Sequence, residues 1–361
     1  MFTPLRSALS GFSIAVALFT SGESLAVTYR VTDLGTLQGS TKAYAINDSG
    51  QIVGESSVNG VSRAFLYSGG SLQNLGTLGG TSSVAWGINN SGVVVGTAAL
   101  ASGTVNAFSF YGGSLQSLGT ATTTDGSVSF LSSAAFDINT SGQAVGSSSR
   151  DFTNGTTNSN SVLFANGTVT LKALGQLNAI NDAGVMVGTD NGHGYVKSST
   201  SFTEVPAFCG GGFCGSDAQD INDMGVVVGD ATTFSARHAF TFASGSLSDL
   251  GTLGGANSKA FALNELGQVV GTSDSASGQH AFLYGAGTMQ DINSLIDPAA
   301  GWILREARDI NEFGQIVGWG LHNGQTSAFL LTTVPVPAAA WLLGSGLIGL
   351  AGVARTRGKS S

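Results

Sequence analysis

The sequence predicts an all-β protein folded as a seven-bladed β-propeller. Its clearest feature is a phrase that occurs seven times: Ile or Leu, Asn, two residues, Gly, two residues, Val and Gly. The Asn residues of the seven copies stand at steps of 42, 50, 42, 41, 42 and 47 residues: Asn47, Asn89, Asn139, Asn181, Asn222, Asn264 and Asn311. A period of this length indicates a repeat architecture, and four-stranded propeller blades have about this size.

The composition supports short strands joined by tight turns. The chain has 361 residues, of which 54 are Gly and only 10% are charged. One repeat, residues 64–97, alternates large apolar residues with small ones and places Gly clusters between the apolar runs, a pattern typical of strands and turns. Its four candidate strands are 64–67, 72–75, 84–88 and 93–96. Each repeat therefore predicts one four-stranded blade.

The third and fourth candidate strands are joined by Asn89-Asn90-Ser91-Gly92. An Asn side chain at the start of a turn accepts hydrogen bonds from backbone N–H groups ahead of it, and Gly supplies the positive φ that re-enters the partner strand. The repeated Asn and Asp residues have two interpretations, a ring of metal or ligand sites or seven equivalent hairpin turns. Turn chemistry accounts for each residue and favours the second.

The first candidate strand of each repeat places a small residue before an aromatic one, as in Ala64-Phe65, which favours packing between layers. In three copies a histidine precedes the pair: His193, His238 and His280. A catalytic or metal-binding role would not be spread over equivalent positions of separate repeats. We therefore interpret these histidines as structural.

The ends of the repeat region predict how the ring closes. The region begins within a unit, at residues 29–35, which correspond to a second candidate strand. It ends after a lone first strand at residues 328–331. Together the two ends complete one blade, which is the strand-sharing closure that a ring requires. A β-helix or solenoid is the alternative, although its coils are usually shorter.

Residues 1–26 have the features of a secretory signal peptide. Arg6 provides the positive start, residues 11–19 provide an apolar stretch, and the small residues before Val27 fit a cleavage site after Ala26. An uncleaved membrane anchor is the alternative. We expect an exported protein.

The C-terminal segment, residues 334–361, carries a second signal. It combines a proline motif, an apolar run at 338–354 and a basic cluster, with Val334, Pro335, Val336, Pro337, Arg355 and Arg357 as its motif residues. Seventeen helical residues span about 25 Å, close to the lower limit for a bilayer core. We predict a transmembrane helix at 338–354 with the basic residues on the cytoplasmic side. An ordinary C-terminal anchor is the alternative to a sorting signal.

Cys209 and Cys214 are the two cysteines of the chain, separated by three glycines and Phe213. In an oxidising compartment this spacing predicts a local disulfide. A metal site would need further ligands, and no histidine is near in sequence. The spacing also differs from the C-x-x-C of redox proteins.

The charge and the motifs limit the possible functions. A formal net charge of −8 argues against nucleic acid as a partner. We find no nucleophile motif and no metal-ligand spacing, so no catalytic residue, metal ligand or cofactor is predicted, and the ligand-binding residues are unknown. Scaffolds carry binding residues on irregular loops. Two polar inserts, 120–133 and 147–161, and the cysteine loop are the candidates, with Asp125, Arg150 and Asp151 available for contacts.

The repeats resemble the HAF-repeat family of bacterial extracellular proteins. The resemblance rests on DLGTLGG at 249–255, GQVVG at 267–271 and HAFLY at 280–284, and it covers residues 29–331. It implies export and a repeat scaffold, and it implies no activity. The third to fifth copies depart from the pattern. The fourth shortens to residues 174–178 before its Ile-Asn pair, so a full four-stranded blade is not expected there.

The tail VPVPAAAWLLGSGLIGLAGVARTR resembles the PEP-CTERM sorting signal in its VPxPA variant, with Val336 in place of the usual Glu. The resemblance implies passage through a Gram-negative inner membrane, transient anchoring there, and cutting by an exosortase-type enzyme as a partner.

These observations divide the chain into a signal peptide at 1–26, a propeller at 27–333 and a sorting segment at 334–361. The favoured hypothesis is a non-enzymatic cell-surface or extracellular-matrix protein with a structural, adhesive or glycan-binding role, for which extracellular polysaccharide is the candidate partner. The alternative is a secreted propeller enzyme that acts on polysaccharide, which would need paired carboxylates or an activated nucleophile.

Overall fold

The structure is a computed structural model that describes residues 29–122, 130–151, 157–209 and 214–334. Within these residues, 28 strands form seven four-stranded antiparallel sheets. The only helices in the described ranges are two short 3₁₀ turns, Ile292–Leu295 and Pro298–Ala300. The seven-bladed all-β propeller is confirmed, and the β-helix alternative is wrong.

Each blade runs from an inner strand at the axis to an outer strand at the rim. The inner strands are β2 (Thr41–Ile46), β6 (Gly79–Ile88), β10 (Ser132–Ile138), β14 (Gln176–Ile180), β18 (Ser216–Ile221), β22 (Gly254–Leu263) and β26 (Trp302–Ile310). The second strands are β3 (Ile52–Val58), β7 (Val94–Leu100), β11 (Ala144–Asp151), β15 (Met186–Asp190), β19 (Val227–Thr232), β23 (Val269–Ser275) and β27 (Ile316–His322).

The third strands are β4 (Val61–Ser68), β8 (Val105–Tyr111), β12 (Thr157–Ala165), β16 (His193–Lys197), β20 (Arg237–Ala243), β24 (Gly278–Gly285) and β28 (Gln325–Thr333). The outer strands are β5 (Ser71–Gly76), β9 (Ser114–Gly119), β13 (Thr168–Leu174), β17 (Phe202–Glu204), β21 (Ser246–Asp249), β25 (Thr288–Asp291) and β1 (Tyr29–Asp33). We number the blades 1 to 7 from the one that contains β2.

The two ends of the repeat region share blade 7. Strand β1 is its outer strand and pairs antiparallel with β28, from Tyr29 opposite Thr333 to Asp33 opposite Phe329. The predicted strand-sharing closure is therefore present. It covers the edge of β28, which would otherwise expose unpaired backbone groups.

Both glycines of the repeated phrase have a structural reason. Gly92 lies in the turn with φ +78°, a conformation that residues with a Cβ rarely adopt. Gly96 lies opposite a β-bulge between Ala85 and Gly87 of the inner strand. A Cβ on Gly96 would stand 2.1 Å from the backbone oxygen of Val84. The final Gly is therefore required because the bulged strand approaches the second strand too closely for any side chain.

The core lies between the blades. One cluster joins Ala45, Val53 and Ala64 of blade 1 to Ile88 and Phe108 of blade 2. The first candidate strand of each repeat is the third strand of a blade in the structure. The packing role predicted for its aromatic residue is confirmed, since the ring is fully buried at Phe65, Phe108, Phe240, Phe282 and Phe329. Because each apolar layer draws on two neighbouring sheets, a blade has no core of its own.

The expectation of an incomplete fourth blade is wrong. Blade 4 has four strands, although its outer strand β17 has only three residues. The shortening falls at a junction instead, because β13 of blade 3 ends at Leu174 and β14 of blade 4 begins at Gln176. Gly175 makes this direct connection with φ +83°, and a Cβ there would stand 2.3 Å from the backbone oxygen of Thr189.

The order of strands gives the ring two distinct faces. We call the face where the inner strands begin the opening face, and the face where they end in the Asn turns the belt face. Connections from β9 to β10, β11 to β12, β17 to β18 and β25 to β26 leave the sheets on the opening face. The cysteine loop and most of the insert 120–133 belong to these connections, whereas residues 147–151 and 157–161 of the other insert lie in strands β11 and β12. Asp125 lies outside the described residues.

The two terminal signals also lie outside the described residues. These are the signal peptide with its cleavage site after Ala26, the segment 338–354, and the motif residues from Pro335 to Arg357. Val334 is described and is exposed. Within the described ranges, no helix has the length and apolar character needed to cross a membrane.

Candidate functional site: the axial chamber

A chamber lies on the propeller axis and is lined by residues of all seven blades. It has a volume of about 250 Å³. Each blade contributes the residue three positions before the Asn of the repeated phrase: Tyr44, Trp86, Phe136, Asn178, Gln219, Phe261 and Arg308. The bulge in every inner strand falls next to this residue, so one repeated backbone irregularity presents seven different side chains to the axis.

Five of these side chains form a continuous arc through blades 6, 7, 1, 2 and 3, which we call the π arc. Tyr44 stacks on Trp86 with ring centroids 4.6 Å apart and planes at 27°. Trp86 meets Phe136 edge-on at 6.4 Å. The Arg308 guanidinium carbon lies 3.9 Å from the Phe261 ring centroid and 5.6 Å from that of Tyr44. Aromatic and cation–π contacts of this kind fix the orientation of each group.

Amides complete the circle opposite the π arc. Gln219 and Asn178 line the chamber from blades 5 and 4, and Gln176 lines it as well. Asn178 donates from Nδ2 to the backbone oxygen of Ala218 at 2.7 Å, which orients its amide against the next blade. The chamber thus has flat apolar surfaces on one side and amide donors and acceptors on the other.

Arg308 is held by stacking more than by hydrogen bonds. Its Nη1 lies 3.5 Å from Oε2 of Glu306, which also accepts a hydrogen bond from Trp319 Nε1 at 3.0 Å. The Nε of Arg308 is buried and has no hydrogen-bond partner among the described residues. Burial lowers the pKa of the guanidinium, and the charge of Glu306 opposes that shift. The guanidinium therefore presents unused donors to a confined space.

Three aspartates form the floor of the chamber, one position further along the inner strands: Asp137, Asp220 and Asp309. Each links two blades by accepting backbone N–H groups on both oxygens. Asp309 accepts from Ile310 at 2.8 Å and from Ile46 of the next blade at 2.7 Å. The equivalent bonds across the other two junctions run to Ile180 at 2.8 Å and to Leu263 at 3.0 Å.

The confined position of these carboxyls changes their protonation. Desolvation raises the pKa of Asp220 to about 8, and repulsion from Asp137 and Asp309 adds to the shift. Desolvation also raises the pKa of Asp309 to about 7, against its backbone hydrogen bonds and the charge of Arg308. The pKa of Asp137 is raised for the same main reason. Around neutral pH the floor consequently holds fewer negative charges than its composition suggests.

The belt face closes the axis with a ring of asparagines, which we call the Asn belt. Each Nδ2 donates to the backbone oxygen of the next Asn around the ring, at 3.0 to 3.3 Å: Asn47 to Asn89, then Asn139, Asn181, Asn222, Asn264, Asn311 and back to Asn47. The Oδ1 of each also organises its own turn, as where Asn89 accepts from Val93 N at 3.0 Å. The turn interpretation of these residues is therefore right but incomplete.

A second ring lies outside the Asn belt. Carboxyl or amide oxygens of one turn accept the backbone N–H of a neighbouring turn, as in Asp182 N to Asp223 at 2.8 Å and Glu312 N to Asp48 at 3.1 Å. No group of three or more His, Cys, Asp or Glu in the described residues is arranged to hold a metal ion. These acidic side chains serve as links between turns.

The histidines pair with acidic residues on the outer strands. His238 Nδ1 lies 2.8 Å from Asp249, His280 Nδ1 lies 2.6 Å from Asp291, and His193 Nδ1 lies 2.9 Å from Glu204. The same type of contact in the three blades that carry these histidines supports the structural interpretation. Cys209 and Cys214 are joined by a disulfide with a Cα–Cα distance of 5.8 Å. Arg150 and Asp151 belong to β11.

Sequence reasoning missed the residues of the chamber. It treated the position three residues before each Asn as a generic strand position, although Tyr, Trp, Phe and Arg occur there, two positions before the constant phrase begins. That variation inside a fixed repeat was the available signal, because a scaffold position would repeat its residue type along with the rest.

Comparison with known proteins finds one matching family model, over part of the chain. The family model that matches is "Protein of unknown function (DUF3466)", over residues 76–247, slightly less than half of the chain. Neither a HAF-repeat family nor a PEP-CTERM family is found, so the assignment to those two families is wrong. No curated protein matches the chain.

Solved structures of low identity resemble the chain. One is a protein described as a gluconolactonase, with 9% identity and a TM-score of 0.41 over 86% of this chain and 94% of that one. Another, from Thermus thermophilus, is described as an oxidoreductase (glucose dehydrogenase), with 11% identity and a TM-score of 0.39 over 84% and 99%. An AofleA mutant from Arthrobotrys oligospora has 10% identity and a TM-score of 0.39 over 85% and 94%.

Proposed function

We propose that the protein is an exported, non-enzymatic module that binds carbohydrate in its axial chamber. The single observation that supports binding there is the π arc facing amides across the axis. The faces of sugar rings carry C–H groups that pack on aromatic rings, and their hydroxyls need donors and acceptors at fixed positions. A concave site that combines apolar walls with a few convergent polar groups is typical of small-molecule recognition.

Export to the cell surface is supported by the sequence at the N-terminus, where Arg6, an apolar stretch and the small residues up to Ala26 follow in order. The disulfide between Cys209 and Cys214 agrees with an oxidising compartment. An extracellular polysaccharide is the partner that this location makes available to the chamber.

The test is a glycan array followed by calorimetry on the ligands found. Trp86→Ala removes the ring that contacts both Tyr44 and Phe136 in the π arc, so we expect it to weaken binding by about 10- to 100-fold while the protein stays folded. Tyr111→Ala is the matched control, because this tyrosine is 64% exposed on the rim of blade 2. Full affinity in Trp86→Ala would place the ligand elsewhere, and an array without any bound glycan would refute the proposal.

A polysaccharide-cleaving enzyme is the second candidate, favoured by the raised pKa values of Asp220 and Asp309, since a protonated carboxyl near neutrality can act as a general acid. Against it, the oxygens of both carboxyls are engaged by backbone N–H groups of two blades. Reducing-sugar release from the bound polysaccharide, lost in Asp220→Asn, would favour the enzyme. Binding without release favours the module.

A further inference from the structure

Arg308 gives the chamber a charge preference that the proposed function leaves open. It is the one cation among the lining residues in the described part of the chain, and it comes from the inner strand of blade 7. We propose that the chamber selects acidic saccharides, with Arg308 pairing with the carboxylate of a uronic acid while the aromatic rings carry the sugar face. This inference rests on the proposed function.

The guanidinium of Arg308 is held in a fixed position by two aromatic rings. It lies between Phe261 and Tyr44, at 3.9 and 5.6 Å from the two ring centroids, so its plane is fixed before a ligand arrives. A preorganised guanidinium loses little side-chain entropy when it binds a carboxylate with two parallel hydrogen bonds. A lysine at the same place would supply a charge without the flat fork.

Most N–H donors of the Arg308 guanidinium have no acceptor in the described part of the protein. A guanidinium has five N–H groups. Glu306, at 3.5 Å, is its only carboxylate contact among the described residues, and Nε has no partner there. Because Nε is buried, the donors left for a ligand are those of the two Nη groups. The same Glu306 oxygen is shared with Trp319, which weakens its hold on the arginine.

The floor carboxyls of Asp309 and Asp220 do not cancel the positive charge of Arg308. Asp309 and Asp220 already use their oxygens on backbone N–H groups, and desolvation raises their pKa values to about 7 and about 8. Below those values Asp309 and Asp220 are mostly neutral, and Arg308 keeps its charge. An anionic ligand should therefore bind more tightly as the pH falls toward 6, where a uronate with an ordinary carboxyl pKa is still ionised.

Other charged groups pack around the rings that hold the arginine. Glu55 accepts the Tyr44 hydroxyl at 2.7 Å, Lys42 lies 4.7 Å from the Trp319 ring, and Lys259 lies 5.9 Å from the Phe261 ring while it pairs with Asp217. Glu55 and Asp217 are thus each bound to a donor, and the charge of Lys259 is shared between Asp217 and Asp230.

The test compares uronic acid hexamers (galacturonate, mannuronate and guluronate) with their methyl esters, which keep the ring and lose the charge. We expect calorimetry at pH 6 to give about 10- to 100-fold tighter binding of one acid than of its ester. Arg308→Gln should bring the ratio of acid to ester affinity to about one, and this ratio is the readout because Arg308 also packs on the rings of the chamber. Trp86→Ala should weaken both ligands alike.

Three results would overturn the inference: equal affinity for acid and ester, a full acid preference in Arg308→Gln, or no binding of any uronate. If neutral glycans bind while uronates do not, the proposed function stands and the charge preference is wrong. If no glycan of either kind binds, the proposed function fails as well. Circular dichroism and the melting temperature of Arg308→Gln separate loss of the pairing group from loss of the fold.

Discussion

Asn311 donates a hydrogen bond from its side-chain amide to the backbone oxygen of Asn47, 3.2 Å away across 264 residues of sequence. The same junction is held by Asp309, which accepts the N–H of Ile46. The Asn bond occurs at all seven junctions, and the Asp bond occurs at three of them, including this one. The junction where the ring closes therefore resembles the other junctions in its axial contacts.

The Asn belt predicts a cost for a single substitution. Asn89→Ala removes the hydrogen bond to the Asn139 carbonyl and the bonds that Asn89 Oδ1 accepts from its own turn, at a site that is 5% exposed. We expect a loss of about 2–3 kcal/mol of unfolding free energy, more than the about 1 kcal/mol of an isolated exposed turn. Denaturant titration measures it. Ser91→Ala, on the exposed tip of the same turn, is the control, and equal losses in the two variants would contradict a role of the belt.

The floor of the chamber predicts a pH dependence of stability. The folded state binds a proton at Asp220 up to about pH 8, whereas an unfolded aspartate releases it near its usual value of 3.8. The folded protein thus holds more protons in this window, so its stability should fall as the pH rises from about 4 to 8. Melting temperatures measured across the window check this.

Asp220→Asn is the corresponding variant, because an amide does not titrate. We expect a shallower dependence of melting temperature on pH and a lower value at pH 5, since the Asn Nδ2 cannot accept the backbone N–H groups that Asp220 binds. A parent protein whose melting temperature climbs with pH over this window would disprove the assignment of the raised pKa.

The pairing of Tyr29 with Thr333 predicts that the chain can be rejoined there. A circular permutant that links these residues through Asn-Gly and opens the turn at Gly69-Gly70 should fold with a melting temperature within a few degrees of the parent, because strands that lie opposite each other need only a two-residue turn. Deleting residues 29–37 should instead cost several kcal/mol, since buried Tyr29 and Leu34 are lost and the edge of β28 is exposed. Equal stability of the deletion and the parent would argue against closure.

The disulfide predicts a local effect. Replacing Cys209 and Cys214 by serine should lower stability by about 2 kcal/mol at most, because the loop that the bond closes is short. Glycan affinity should be unchanged, since neither cysteine lines the chamber. The parent measured in reducing agent is the control and should match the variant. A loss of affinity would mean that the cysteine loop contributes to the site.

The architecture could be predicted because its physical causes recur in every copy. The turn requires Asn and Gly, as at Asn89 and Gly92, and the bulge requires a glycine opposite it, as at Gly96. Both requirements therefore recur as the same residues in all seven copies. A serine that recurs at one position of the inner strand was not predicted to have a structural role. Ser83 Oγ accepts the Ala64 N–H of the previous blade at 3.0 Å, and Ser133 and Ser258 do the same in theirs.

The chamber could not be predicted as a site because it exists only once the ring is closed. Tyr44 and Arg308 are distant in sequence, and their contact depends on the number of blades and on the bulge that turns each side chain inward. The inserts attracted attention because they interrupt the repeat. The side chains at the axis vary without interrupting it, and the raised pKa of Asp220 depends on carboxyls from two other blades.

Both ends of the closed ring, at Tyr29 and Thr333, border the groove of Phe313 and Leu266 on the belt face. Material attached to either end is therefore added on the side remote from the π arc. A support, a fluorophore or a second domain fused at these positions would leave the mouth of the chamber pointing away from the attachment. The protein is suited to immobilisation by these two ends. In an array of such copies, the opening faces of all the propellers would point in one direction.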